Sequence, residues 1–220
     1  MGVSVGIMFL IMAVVAGWLL KQTLSTTPWI ARTTIVDGHS GSFQQPTAKI
    51  GLWVFLAVVT SLFALFISAY TTRMEVGDWR PLPEPMILWF NTAILVFSSI
   101  ALQWARHSAD TENVNGVRYG LALGGVLTIG FMIGQLIAWQ QLGALGYHAS
   151  TNPANGFFYL ITGLHGLHML GGLVAWCRPS LKVWRGCEPE EVRLSVELCT
   201  AYWHFLLVIW IVLFGLMLST

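Results

Sequence analysis

Residues 157–177 read FFYLITGLHGLHMLGGLVAWC and contain no Asp, Glu, Lys or Arg. The hydrocarbon core of a bilayer is about 30 Å thick, and a helix needs roughly 20 apolar residues to cross it. The stretch therefore predicts a transmembrane helix. Ionisable side chains are costly inside a bilayer, so its two histidines, His165 and His168, are the first candidate functional residues.

Five further predominantly apolar stretches lie elsewhere in the chain. They are Val3–Leu20, Ile50–Thr71, Ile87–Ala105, Val117–Leu142 and Leu198–Leu218. In chain order the six stretches predict spans one to six, and residues 157–177 form span five. The sequence thus predicts an all-α fold, a polytopic transmembrane helical bundle.

The composition supports this class of protein and excludes others. Hydrophobic residues make up 55% of the 220-residue chain and charged residues only 10%, whereas soluble domains carry roughly 25% charged residues. A soluble globular domain is therefore excluded, and so is a disordered chain, which needs low hydrophobicity and high charge. A net charge of +1 and the lack of a recognition motif give no reason to expect a nucleic-acid partner.

The chain is expected to have two parts. Residues 1–48 hold span one and a polar connecting loop, and residues 49–220 hold the other five spans. Span one lacks the basic start and the small-residue cleavage site of a secretory signal, so we interpret it as a retained helix.

The basic residues indicate the orientation, because Lys and Arg are enriched in cytoplasmic loops. With six spans, one side receives nine of the 11 basic residues: Lys21, Arg32, Lys49, Arg106, Arg118, Arg178, Lys182, Arg185 and Arg193. The other side receives Arg73 and Arg80. The first side is therefore predicted to be cytoplasmic, with both termini on the outer side.

Four polar residues of spans five and six are expected at similar depth. His165 and His168 are three residues apart and share a helix face. In span six, His204 follows Glu197 by two helical turns and lies on the same face. Because the two spans run in opposite directions, His165, His168, Glu197 and His204 are predicted to form one polar layer in the cytoplasmic half.

Three interpretations of this layer compete. Neutral imidazole ligates metals and haem, but only one loose pairing at matched depth exists, and Cys177, Cys187 and Cys199 lack CxxC spacing. A proton relay needs an acid deep in a span, and the sequence places none there. The favoured interpretation is an interhelical hydrogen-bonded contact between spans five and six. No nucleophile, base and carboxylate fall together, so we expect no catalytic, cofactor or metal site and no catalysis by this chain alone.

Several motifs in a fixed order resemble those of subunit III of the haem-copper respiratory oxidases, the cytochrome c oxidase and quinol oxidase family. The resemblance covers about residues 49–218. Its motifs are Lys49-Ile50-Gly51-Leu52-Trp53-Val54-Phe55-Leu56, Asn91-Thr92 with Ser98-Ser99, Gly163-Leu164-His165-Gly166-Leu167-His168, and Glu197 with Tyr202-Trp203-His204-Phe205 and Trp210.

The resemblance implies a non-catalytic core subunit of a proton-pumping terminal oxidase in a bacterial inner membrane. In the family, haem and copper belong to partner subunits I and II, and subunit III packs on subunit I. The subunit also holds phospholipid in a cleft and supports proton uptake and sustained turnover. Trp53 and Lys49 lie at the predicted cytoplasmic end of span two. This position and the resemblance together imply lipid contacts at both residues.

Two departures from the family pattern mark a divergent bacterial member. The family often has Ser-Glu where this chain has Val58 and Val59, and the Glu has been linked to proton uptake. The family also often has the motif W-H-F-x-D. The corresponding residues here are Trp203-His204-Phe205-Leu206-Leu207, so Leu207 stands in place of the Asp. Both replacements remove intramembrane acids, so a carboxylate-based proton role is not expected of this subunit.

Two alternatives remain at this point. Relatives of subunit III also accompany quinol oxidases and nitric oxide reductases, and the motifs do not separate these complexes. A different class of protein, a small haem-binding electron-transfer protein, would use His165, His168 and His204 as haem ligands.

Overall fold

The computed structural model describes residues 47–83, 85–187 and 189–219. Span one, Val3–Leu20, and most of the polar loop after it lie outside the described residues. The first predicted part, residues 1–48, is therefore represented only by its last two residues.

The described residues form five long helices and no strand. Helix α1 is Thr47–Met74, α2 is Ile87–Asp110, α3 is Val114–Ala144, α4 is Pro153–Trp184 and α5 is Pro189–Leu218. They correspond to predicted spans two to six, and each is long and apolar enough to cross a membrane. The prediction of an all-α, polytopic transmembrane fold is confirmed.

The helices are longer than the apolar stretches that predicted them. Span five, residues 157–177, is the centre of α4, which runs from Pro153 to Trp184. Its start is fixed by Asn152, whose side chain accepts a hydrogen bond from the Ala154 N–H, and Asn113 does the same for Gly116 at the start of α3. Such capping satisfies the first backbone N–H groups, so helices continue past the point where hydropathy falls.

Glycines of α3 allow close packing against α2. A Cβ atom added at Gly120 would lie 2.7 Å from the Ala105 Cβ, and one added at Gly124 would lie 2.7 Å from the Leu102 side chain. A Cβ at Gly134 would collide with the side-chain amide of Asn91. Small residues let backbones approach in lipid, where no hydrophobic force drives helix association.

Aromatic side chains of helix α1 contact two other helices. Phe63 lies against His165 and His168 of α4, and Phe55 lies 6.1 Å, centroid to centroid, from Tyr202 of α5. Near the other end of α1, the ring of Tyr70 meets Phe157. These contacts place α1 beside the two helices that carry the predicted polar residues.

Candidate functional site

His165 lies where four helices meet. Its side chain is fully buried, and its ring centroid is 6.4 Å from that of Phe63, 5.9 Å from Phe131 and 5.2 Å from Trp210. These rings come from α1, α3 and α5. Neither ring nitrogen of His165 has a hydrogen-bond partner among the described residues, so this histidine packs as an aromatic ring.

His168 lies one turn further along α4, on the side facing α1. Its Nδ1 is 2.8 Å from the Leu164 carbonyl oxygen of its own helix. The carbonyl can only accept, so Nδ1 is the protonated nitrogen. The hydrogen bond that joins α4 to α5 here uses the backbone instead, because the Tyr202 hydroxyl donates to the His168 carbonyl oxygen at 2.9 Å.

His204 and Glu197 have partners of different kinds. The His204 Nδ1 is 2.8 Å from the Thr200 carbonyl oxygen, again within its own helix. The Glu197 Oε1 lies 3.5 Å from Arg106 Nη2 of α2, and both side chains are partly exposed. The residues of the predicted layer thus have separate partners. His165 and His168 both contact the ring of Phe63, whereas Glu197 connects α5 to α2.

The two predicted lipid-contact residues lie at the start of α1. Lys49 and Trp53 are both partly exposed and both have interactions within the protein. The neighbouring Val54 and Val58 are more than half exposed. Trp53 therefore lies next to exposed apolar side chains of α1.

No group of three or more His, Cys, Asp or Glu side chains in residues 47–83, 85–187 and 189–219 is placed to hold a metal ion. Cys177, Cys187 and Cys199 are free thiols in three different settings, exposed, half-buried and buried.

Three tryptophan–threonine hydrogen bonds form a feature that the sequence analysis missed. In each, an indole Nε1–H donates to a threonine hydroxyl on another helix: Trp203 to Thr128 at 2.8 Å, Trp210 to Thr92 at 2.9 Å and Trp139 to Thr162 at 3.1 Å. Each hydroxyl in turn donates to the carbonyl oxygen four residues before it. Tryptophan in membrane proteins favours the interfaces, but Trp203 and Trp210 lie within a span. This unusual position was the one indication in the sequence that their N–H groups have partners.

A series of polar contacts joins α2 and α5 towards the end of the bundle that holds the α2–α3 and α4–α5 connections. The Thr200 hydroxyl lies 3.1 Å from the Leu102 carbonyl oxygen, Arg106 meets Glu197, and the Arg193 Nε lies 2.8 Å from Asp110 Oδ1. The pairs follow the antiparallel register of the two helices. These polar side chains of α2 and α5 therefore connect the two helices.

Comparison with known proteins identifies the family. The family described as "Cytochrome c oxidase subunit III" matches residues 2–219. The chain belongs to this family. A "Probable cytochrome c oxidase subunit 3" of Mycobacterium tuberculosis H37Rv is 29% identical over 190 residues, which cover 82% of this chain and 92% of the relative.

Similar proteins come from distant organisms. A "Cytochrome c oxidase subunit 3" of Thermostichus vulcanus is 30% identical over 194 residues, 84% of this chain and 92% of the relative. One of Struthio camelus is 28% identical over 218 residues, 89% of this chain and 79% of the relative. These identities fit a divergent member of the subunit III family, as the motifs predicted.

The two departures from the subunit III pattern have distinct surroundings. Val59 is 2% exposed and lies one turn before Phe63 on the buried face of α1, whereas Val58 is 62% exposed. Leu207 is half-buried on α5. An acid at position 59 would be enclosed by the bundle, so the valine leaves this apolar packing intact.

Proposed function

We propose that the chain is the non-catalytic subunit III of a proton-pumping haem-copper terminal oxidase. The chain would pack on subunit I and support proton uptake and sustained aerobic turnover. The observation that carries the proposal is the family match over residues 2–219. The chain forms a multi-pass membrane bundle, and membership of the family implies a complex with other oxidase subunits.

The surroundings of the histidines support a structural role. Phe63, Phe131 and Trp210 cover the ring of His165, so an iron atom could reach neither nitrogen unless these rings moved. His168 and His204 each direct Nδ1 to a carbonyl of their own helix. We therefore assign haem and copper to partner subunits and none to this chain.

Lipid binding is the second part of the proposal. The exposed side of α1 carries Val54, Val58 and Leu65, and its start carries Lys49 and Trp53. Acyl chains would lie along the valines and leucine, while an anionic headgroup would meet the ammonium and the indole. Such lipids would stabilise the contact between this subunit and its partners.

We also propose a location and an orientation. The chain would lie in a bacterial inner membrane, with the end that carries Arg106, Arg118 and Arg193 on the cytoplasmic side. The support is the uneven distribution of Lys and Arg, which in membrane proteins favours the cytoplasm.

Co-purification from membranes tests the proposed function. An affinity tag on this chain is expected to recover a subunit with haem absorbance, together with a second subunit that carries the electron-entry site. A dinuclear copper domain in that second subunit would identify cytochrome c as the donor. Recovery of the intact bundle without any haem-containing subunit would contradict the proposal.

A further inference from the structure

Between Ala201 and Gly215, helix α5 has one narrow face that is half-buried or exposed. Of the five described helices it is the most buried. Ala201, His204, Val208, Ile211 and Gly215 are half-buried or exposed, whereas most residues between them are buried. Their spacing of three and four residues places them on one line along the helix. We call this line the α5 stripe.

His204 is the one residue of the α5 stripe with a hydrogen-bonding side chain. Its Nδ1–H donates to the Thr200 carbonyl oxygen at 2.8 Å. In the neutral ring the other nitrogen, Nε2, then has a lone pair and accepts. Nε2 makes no hydrogen bond with any residue that the structure describes.

The depth of His204 makes this unpaired acceptor costly. It lies midway along helix α5 and six residues inside the apolar stretch Leu198–Leu218. Water is absent from the hydrocarbon core, and acyl chains have no N–H or O–H group to donate. A polar side chain at this depth and on an outer face is therefore expected to meet a donor from another helix.

The neighbours of His204 on the α5 stripe suit close approach by a helix. Ala201 lies before it and Gly215 lies three turns after it. A Cβ atom added at Gly215 would have no atom within 4 Å, so space beside the backbone is open. Small residues at such positions are typical of transmembrane helix contacts.

We propose that the α5 stripe binds a transmembrane helix of a partner oxidase subunit, and that an N–H or O–H group of that helix donates a hydrogen bond to His204 Nε2. This inference rests on the proposed function, because it takes the partner to be another subunit of the oxidase. It assigns the docking surface and the chemistry that the partner must present.

Site-specific photo-cross-linking in the intact complex tests the position of the surface. A photoreactive benzoylphenylalanine replaces Val208 on the α5 stripe or, as a control, Leu167, which is 62% exposed on α4 beside His168. The expected result is a cross-link from position 208 to another oxidase subunit and none to protein from position 167. A cross-link from 208 only to lipid, to a second copy or to residues 1–46 of the same chain would overturn the proposal.

Two substitutions test the hydrogen bond. His204→Leu removes the acceptor, whereas His204→Gln keeps an acceptor at similar reach. The fraction of this chain retained by the complex after a detergent wash is expected to fall about three- to tenfold in His204→Leu and to remain near that of the unsubstituted protein in His204→Gln. Thermal unfolding of each variant chain provides a check that the bundle itself is intact. Equal retention of all three proteins would overturn the hydrogen bond, whereas failure of the unsubstituted chain to purify with a haem-containing subunit would contradict the proposed function itself.

Discussion

The indole Nε1 of Trp210 lies 2.9 Å from the Thr92 hydroxyl oxygen and connects α5 to α2 across 118 positions of sequence. The same threonine hydroxyl donates to the Leu88 carbonyl oxygen at 2.8 Å. The hydroxyl thus uses both its donor and an acceptor position. Nearer the other end of these two helices, Arg106 and Glu197 make a second, charged connection.

Removal of the Thr92 hydroxyl is expected to destabilise the bundle. Thr92→Val keeps the shape of the side chain and leaves the Trp210 N–H without an acceptor. We expect a loss of about 1 kcal/mol in the free energy of unfolding, the usual size of such contacts in membranes. Denaturant or thermal unfolding in detergent measures it.

Thr72→Val is the matched control for this change, because the Thr72 hydroxyl is exposed and, among the described residues, bonds only to the Ser68 carbonyl of its own helix. An equal loss of stability in both variants would contradict the role of the indole contact.

Replacement of His165 separates packing from hydrogen bonding. Both nitrogens of His165 lack hydrogen-bond partners among the described residues. His165→Leu therefore removes two buried polar atoms that make no hydrogen bond, and we expect the free energy of unfolding to stay the same or to rise. His165→Ala opens a cavity among three aromatic rings and is expected to cost about 2–4 kcal/mol. Unfolding in detergent measures both changes. A large loss of stability in His165→Leu would show that a buried hydrogen bond exists at this position.

Two glycines of α3 give a test of helix packing. Gly134→Ala places a Cβ against the Asn91 side chain, and we expect a destabilisation of about 1–3 kcal/mol from this overpacking. At Gly130 the nearest atom, the Ile94 Cγ2, is 4.0 Å away. Gly130→Ala is therefore expected to be neutral or to stabilise by up to about 1 kcal/mol through helix propensity. The midpoint of thermal unfolding distinguishes them, and the reverse order would show that α2 and α3 are not packed as described.

The loop after α1 is expected to respond to acid. Arg73 donates two hydrogen bonds of 2.6 Å to the Asp78 carboxylate. These hydrogen bonds lower the pKa of Asp78 from its ordinary value of 3.8. A carboxylate with a lowered pKa stabilises the folded loop above its ordinary pKa, and the stabilisation is lost as the pH falls through the lowered value.

Trp79 reports on this loop, because its ring lies 4.9 Å from that of Tyr70. In protein labelled with 5-fluorotryptophan, the ¹⁹F resonance of Trp79, assigned from Trp79→Phe, is expected to shift only below about pH 4. In Asp78→Asn the acid-dependent shift should disappear. A shift that persists in this variant would assign the titration to another group.

The sequence predicted the five described spans and the closeness of spans five and six, because hydropathy over about 20 residues depends only on local composition. It did not predict where α4 ends, since backbone hydrogen bonding continues through polar residues such as Lys182 once a helix has formed.

The partners of the polar residues were harder to predict. The i, i+3 spacing of His165 and His168 suggested hydrogen bonds between helices, but a helical histidine can also reach the carbonyl four residues earlier, as His168 does. The indole that Thr92 accepts from lies on α5, and only the packing of α2 against α5 brings it there. Local sequence contains no information on such a pairing.

We propose that this chain supports an oxidase whose chemistry lies in its partners. The most direct measurement is the haem absorbance spectrum, together with the decay of oxygen consumption during continuous turnover, of the oxidase purified with and without this chain. We expect identical spectra and similar initial rates, with activity lost sooner in the complex that lacks the chain. Loss of haem from that complex, or an altered spectrum, would contradict the account.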